Sequence, residues 1–228
     1  MVEEQEILNF PMKILLNKLT DDFNKTSGDF CGVPSFLITP KNIAVKFTQE
    51  NKIFRSSIWD VNGNLLSASF PKFTNFNENP ENFPVPPNLQ NCNIITKIDG
   101  STLICDFVNN QFIMRTRGTF SYISQKNRAN FHLIKNKYPL IIDWLKENHK
   151  FSIIFEIVTP NNIIVLKYKN EPDIYLTGCI NKNNYSLLSQ STLDCISKEI
   201  KVVRPTYFHF NNLNELIENI SSNTEPEG

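Results

Sequence analysis

The sequence predicts an α+β fold in which antiparallel β-sheets are flanked by helices. Three observations point to it. Short apolar runs divided by turn residues fill residues 35–70 and recur over 93–117 and 151–168. Two asparagine-led dipeptides, Asn62-Gly63 and Asn109-Asn110, sit between such runs at the spacing of tight hairpins. Helical spacing of apolar residues appears in the stretches 121–137 and 139–148.

Composition narrows the classes of function. The chain has 228 residues, with 23 Lys and Arg against 23 Asp and Glu, so no global field announces a polyanionic partner and any such contact must be local. The start, Met1-Val2-Glu3-Glu4-Gln5-Glu6, is acidic and no long apolar run follows it, so neither a signal peptide nor a membrane span is expected. Five scattered cysteines without a Cys-x-x-Cys pair fit a reduced, cytoplasmic protein and argue against a cysteine-ligated metal.

Taken in order, residues 4–26 carry Ile7, Leu8, Met12, Leu15, Leu16 and Leu19 at roughly helical spacing, interrupted by Pro11. This predicts a helical segment within residues 1–30. Runs at 36–38, 43–47, 53–59 and 65–70 then predict strands, the last two joined through Asn62-Gly63. Arg55 lies inside the third run, where an arginine is most often on the solvated face. Residues 79–91, with Pro80, Pro84, Pro86 and Pro87, predict a surface loop. The runs 102–108 and 111–117 predict a two-residue hairpin about Asn109-Asn110, which places Arg117 opposite Thr102 and Gly118 opposite Ser101. Helices are expected at 121–137 and, with Pro139 in the first turn, at 139–148.

From residue 107 to 142 there is no acidic side chain, while Arg115, Arg117, Lys126, Arg128, Lys135 and Lys137 all fall there. Such a stretch reads either as a solvated helix face or as a contact for a polyanion. Residues 151–158 are apolar except for Ser152 and Glu156. A carboxylate in such a run is costly to bury unless it is hydrogen-bonded, bound to a metal or paired with a nearby lysine or arginine. A turn at 159–162 leads into an apolar run at 163–168. Strands at 173–180 and 201–204 and helices at 186–197 and 212–220 complete the expectation.

Function is expected to gather on residues 93–104. There an apolar run delivers Lys97 to a turn, Asp99 follows, and Gly100 and Ser101 let the chain turn back into a second apolar run. A lysine held between strands, partly desolvated or near other cations, can shed its proton and act as a nucleophile. Asp99 suits a metal or a ribose hydroxyl, and Gly100 would let a ligand approach the backbone. Arg117, carried to the same mouth by the hairpin, suits a phosphate. Lysine, aspartate and glycine are also ordinary turn residues, so the motif draws its weight from its company.

That company is the segment Phe70-Pro71-Lys72-Phe73-Thr74-Asn75-Phe76-Asn77-Glu78-Asn79-Pro80, the motif Lys97-Ile98-Asp99-Gly100-Ser101, the block Arg115-Thr116-Arg117-Gly118, and Phe155-Glu156-Ile157-Val158-Thr159-Pro160-Asn161-Asn162-Ile163-Ile164-Val165. In this order the blocks resemble the adenylyltransferase domain of the phage-type RNA ligase 1 family, ATP-dependent enzymes of the covalent nucleotidyltransferase superfamily. The resemblance runs from about residue 53 to residue 228 and implies an ATP-grasp-like nucleotidyltransferase domain over residues 31–228. It implies that Lys97 attacks the ATP α-phosphate and that Arg55, Lys72 and Arg117 hold phosphates. Thr96, Asp99, Gly100 and Glu156 complete the implied ATP site, with Glu156 and Asp99 as ligands of Mg²⁺. Arg115, Lys126 and Arg128 are the implied RNA contacts. The implied partners are ATP and RNA with 5′-phosphate and 3′-hydroxyl ends, and the chain is expected to be a monomer that seals RNA through an enzyme-bound AMP.

The chain departs from the family pattern at Ser56, where glycine is usual, and at Arg117, where lysine is common. Glu227-Gly228 resemble the opening of the family's fourth motif, so the chain is expected to lack the last motifs and any carboxy-terminal domain. The alternative reading is a degenerate nucleotidyltransferase that binds nucleotide or RNA without forming a covalent bond.

Overall fold

One strand shows how the layers are shared. In Phe151-Ser152-Ile153-Ile154-Phe155-Glu156-Ile157-Val158 successive side chains point to opposite faces. Ile153, Phe155 and Ile157 join a core built with helices, whereas Ile154 joins a second core built with another sheet. A near-continuous apolar run is what a strand covered on both faces requires.

The computed structural model describes residue 16 and residues 19–76, 78–84, 86, 88–123, 128–160 and 171–222. Expectations for residues 1–15, for Lys126 and for the run 163–168 lie outside the described residues, as do Glu227 and Gly228.

The described elements are β1 (Phe23–Phe30), β2 (Val33–Pro40), a 3-10 turn (Lys52–Arg55), β3 (Ser57–Asp60), β4 (Leu65–Ala68), β5 (Ile94–Ile95), β6 (Ser101–Val108) and β7 (Gln111–Arg115). They continue as α1 (Arg128–Lys137), α2 (Leu140–Glu147), β8 (Phe151–Val158), β9 (Asp173–Asn181), β10 (Ser186–Leu187), α3 (Gln190–Ile200), β11 (Tyr207–Phe208) and α4 (Leu213–Ser222). A four-stranded sheet has the order β1-β2-β3-β4, a five-stranded sheet the order β10-β9-β8-β6-β7, and β11 and β5 form a separate ribbon. Every one of these pairings is antiparallel. The α+β class expected from the sequence is the class observed.

The larger sheet separates two cores. On one face Leu103, Cys105, Met114 and Leu176 meet Phe131 and Ile134 of α1, Ile141 and Leu145 of α2, and Leu193, Ile196 and Ile200 of α3. On the other, Ile154 and Ile180 meet Ile38, Trp59, Leu65 and Ala68 of the smaller sheet. Helix α3 starts where the Ser189 side chain accepts from the Thr192 N–H, and stops at Lys201, in the left-handed region at φ 55°. The β6–β7 hairpin forms about Asn109 and Asn110, both at positive φ, with Cys105 facing Met114 and Ile104 facing Arg115.

Several elements differ from expectation. Residues 23–30 are the edge strand β1 rather than helix, and only Phe23 and Phe30 of it are buried, so no alternation marks it. The run 43–47 forms no strand, and Ile43 is fully exposed. Arg55 closes a 3-10 turn, and β3 begins only at Ser57. Residues 121–123 are not helical and α1 begins at Arg128. The expected helix at 186–197 opens instead with β10, and no strand forms over 201–204.

Between the sheets lies a polar chain. Asp106 accepts from the hydroxyls of Ser67 and Ser152, each at 2.5 Å, and its carboxylate stands 3.6 Å from the Lys182 ammonium. The Arg115 Nε donates to Ser67 Oγ at 2.7 Å, and its Nη1 donates to Ser56 Oγ at 2.8 Å. Arg115 is fully buried, and burial brings its guanidinium down to about 10 despite Asp106 nearby. Its expected role as an RNA contact is therefore corrected: no part of the side chain reaches solvent. Asp106 is the carboxylate that compensates two buried cations. Replacing it in Asp106→Ala is expected to cost about 3–5 kcal/mol, because a buried charge loses its partner. Urea unfolding by circular dichroism measures this, and an unchanged midpoint would refute the assignment.

Candidate functional site

A cavity of about 940 Å³ opens at one end of the seam between the sheets. Its walls come from distant parts of the chain, and the register of β6 explains how they meet. Thr102 pairs with Glu156 of β8, and Ser101 with Ile157, so the carboxylate emerges beside the start of β6. The hairpin then returns the chain from β7 toward the same end, where Thr116, Arg117 and Gly118 line the cavity. The Ser56 hydroxyl donates to the Arg117 carbonyl at 2.7 Å and fastens this turn to the end of the 3-10 turn that carries Arg55.

Glu156 is half-buried. Burial raises its proton affinity above the ordinary carboxylate value, against hydrogen bonds from the Gly100 N–H and Thr102 hydroxyl and the charges of Lys97 and Arg117. Gly100 is required for this arrangement, since a β-carbon there would lie 2.3 Å from the Ile157 carbonyl oxygen. The glycine thus admits the backbone of β8 while lining the cavity.

Arg55 carries the second perturbed charge. Burial first, and then the neighbouring Arg117, bring its guanidinium down to about 10, partly offset by Tyr185 and Glu156. Its guanidinium carbon lies 4.5 Å from the Phe73 ring centroid. Phe73 meets Phe70 edge to face at 6.4 Å, and both rings line the cavity. Phe70 is seated on Gly178, where a β-carbon would come within 2.4 Å of the ring. Beside it, Thr177 is the extra residue of a bulge in the β8–β9 pairing and faces the cavity.

Of the residues expected to hold ATP, Lys97, Arg55, Thr96, Gly100, Arg117 and Glu156 line this one cavity. Lys72 and Asp99 are not among its lining residues; the Lys72 ammonium stands 6.0 Å from the Phe47 ring centroid. Asp99 lies 3.8 Å from the Lys97 ammonium. The Lys97 side chain is 76% exposed, because β5 ends at Ile95 and the lysine follows on irregular chain rather than between two strands. Arg128 is exposed at the start of α1 and is not a lining residue. Among the described residues no group of three or more His, Cys, Asp or Glu side chains is placed to hold a metal. An ion here would lean on Glu156 and on the oxygens of a bound phosphate, which is how Mg²⁺ is commonly held. Reading the sequence for charge missed Phe73 and Thr177, since stacking surfaces and a bulge leave no polar signature.

A family model identifies the family, and solved structures share the fold. The RNA ligase family model matches residues 47–228. An archaeal ATP-dependent RNA ligase superposes with a TM-score of 0.59 at 13% identity, covering 95% of this chain and 55% of its own. A protein of Aquifex aeolicus that carries the name ATP-dependent DNA ligase superposes with a TM-score of 0.55 at 13% identity, covering 92% of this chain and 53% of its own. The chain thus spans about half the length of these solved structures. The search of curated proteins finds no match.

The raised proton affinity of Glu156 has a definite sign. The folded state binds this proton more tightly than the unfolded chain, so the residue's contribution improves as pH falls toward 4.5 and worsens as pH rises. Glu156→Gln is therefore expected to leave neutral-pH stability equal or higher and to flatten this part of the pH dependence. Thermal unfolding followed as pH rises from 4.5, the ordinary value from which the shift starts, provides the check.

Proposed function

The chain belongs to the RNA ligase family, and on that premise we propose that the cavity binds ATP and that Lys97 takes up its adenylyl group for transfer to RNA. The observation that carries the reading is the convergence on one cavity of Lys97, two arginines and a carboxylate that burial penalises. A carboxylate that costs stability where it stands is expected to be retained for what it binds.

In the proposed first step the Lys97 amine, after losing a proton, attacks the α-phosphorus of ATP. An N–P bond forms, the bond to the β-phosphate oxygen breaks, and pyrophosphate leaves. In the second, an oxygen of an RNA 5′-phosphate displaces the lysine from the AMP. In the third, a 3′-hydroxyl attacks that activated phosphate, releases AMP and leaves a phosphodiester. Arg55 and Arg117 neutralise charge on the phosphates, which is the main work in phosphoryl transfer. Phe73 and Phe70, which line the cavity, offer apolar surface for the base. A divalent ion held at Glu156 would supply further charge neutralisation. Lys97 is open to water in the free cleft, so the nucleotide itself must cover the amine and exclude solvent. Arg128 and Lys126 are the proposed RNA contacts, and residues 31–228 the proposed adenylyltransferase unit.

One observation favours a rival. The Lys97 side chain is open to solvent and pairs with Asp99 at 3.8 Å, which suits a module that holds nucleotide without reacting. Incubation with ATP and Mg²⁺ followed by mass spectrometry decides between them. The proposal expects an AMP adduct on Lys97, labile in acid and stable in base, and its absence from Lys97→Ala. No adduct in the unaltered protein, with nucleotide affinity unchanged in Lys97→Ala, would establish the binding module. Arg55→Ala and Arg117→Ala are each expected to slow adduct formation by about 10²-fold, measured in a single turnover.

A further inference from the structure

The amine of Lys97 stands on a segment with little secondary structure of its own, so its position must be set from outside. On the carboxyl side Gly100 is fixed to Glu156. On the amino side the hold is indirect. Ile94 and Ile95 pair with Phe208 and Tyr207, and the Thr96 N–H donates to the Thr206 carbonyl at 2.9 Å. The residue before the lysine is therefore attached to the segment 202–208.

That segment is itself clamped. Its Val203 carbonyl accepts from the Leu176 N–H of β9 at 2.9 Å, and Pro205 lines the cavity. Between them Arg204 is buried against α3. Its guanidinium donates to the Asp194 carboxylate and the Gln190 side-chain carbonyl, and at 2.8 Å to the Gln190 backbone carbonyl. Asp194 also accepts from the Tyr207 hydroxyl at 3.1 Å, and the guanidinium carbon stands 5.7 Å from the Tyr207 ring centroid. Tyr207 is the partner of Ile95 across the ribbon. A continuous set of contacts thus runs from α3, through Arg204 and Asp194 to Tyr207, and from there to Ile95, Thr96 and Lys97.

Stability alone does not call for this clasp. The Arg204 Nε is buried with no partner among the described residues, and an apolar residue of similar volume often serves a core at least as well as an ion pair. What a forked guanidinium adds is direction, because several hydrogen bonds from one rigid plane fix geometry as well as distance. Arg204 is not among the residues lining the cavity. We propose that Arg204 is a positioning residue for the transfer of the adenylyl group, acting through Asp194 and Tyr207 on the ribbon that carries Lys97. The inference rests on the function proposed above.

The test uses the 228-residue chain and two measures of the Lys97 amine. One is the single-turnover rate of adduct formation with ATP. The other is labelling by periodate-oxidised ATP, whose ribose aldehyde condenses with an amine to an imine and water and is then fixed by borohydride, located by peptide mapping. Binding stoichiometry and affinity for a non-hydrolysable ATP analogue are measured alongside. In Arg204→Ala both rates at Lys97 are expected to fall about tenfold or more, with stoichiometry and affinity unchanged. Tyr207→Phe, which removes only one hydroxyl from the clasp, is expected to fall about threefold on the same reasoning, and it reads the idea if Arg204→Ala fails to fold. Unchanged rates in either folded variant overturn the inference. So does a rate that falls only in proportion to binding stoichiometry, which marks a purely structural residue. Labelling at Lys97 without any AMP adduct in the unaltered protein rejects the proposed function yet still reads the positioning. No label at Lys97 rejects both.

Discussion

The site depends on a close approach that only a residue without a side chain permits. Where a β-carbon at position 100 would stand, the carbonyl oxygen of Ile157 already lies 2.3 Å away. Strand β6 can therefore begin hard against β8, and the Gly100 N–H meets the Glu156 carboxylate. The remaining geometry follows from register. Thr102 faces Glu156, the hairpin returns Arg117 to the same end, and Lys97 enters three residues before the glycine. A slip of one residue along β8 would turn Glu156 into the helical core and Ile157 into the cavity, which fixes the register strongly.

The cleft is assembled with its charges unresolved. Burial first, and the nearby charge of Arg117 second, depress the proton affinity of Arg55. Glu156 is the converse case, a half-buried acid whose charge is only partly repaid. Neither state resembles a stability optimum. A ligand with several negative charges would ease the first strain, and a cation accompanying it would ease the second. Free energy withheld from folding would then be available on binding, which is the usual economy of a pre-organised site.

Some of this was legible in the sequence because the physics was local. Asn109-Asn110 can turn a chain with positive φ, and from that turn the register of two strands and the return of Arg117 follow. Glu156 stood out because a lone carboxylate in an apolar strand needs a reason. Other features were decided by partners remote in sequence. Arg115 and Arg117 read alike as basic residues at the end of a run, yet Arg115 is drawn into the core by Ser67 and Ser56, from segments more than forty residues earlier. Strand β1 has too few apolar residues to announce itself, and the bulge at Thr177 belongs to a pairing, not to a segment. The Lys97 segment looked like a strand and is not one beyond Ile95, because its pairing partner β11 is only two residues long.

Ser56 joins the interior to the cleft and gives its departure from the family's usual glycine a physical reading. Its hydroxyl accepts from the buried Arg115 and donates to the carbonyl of Arg117. A glycine could take neither bond. The buried guanidinium would lose an acceptor that Thr116, at 3.3 Å, replaces poorly. The turn bearing Arg117 would lose its tie to the segment bearing Arg55. One hydroxyl therefore satisfies a cation that burial has made expensive and, with its remaining proton, holds the backbone of a cation that must stay exposed. Since a hydroxyl can donate once and accept at the same time, serine can serve both arginines here, where alanine would serve neither.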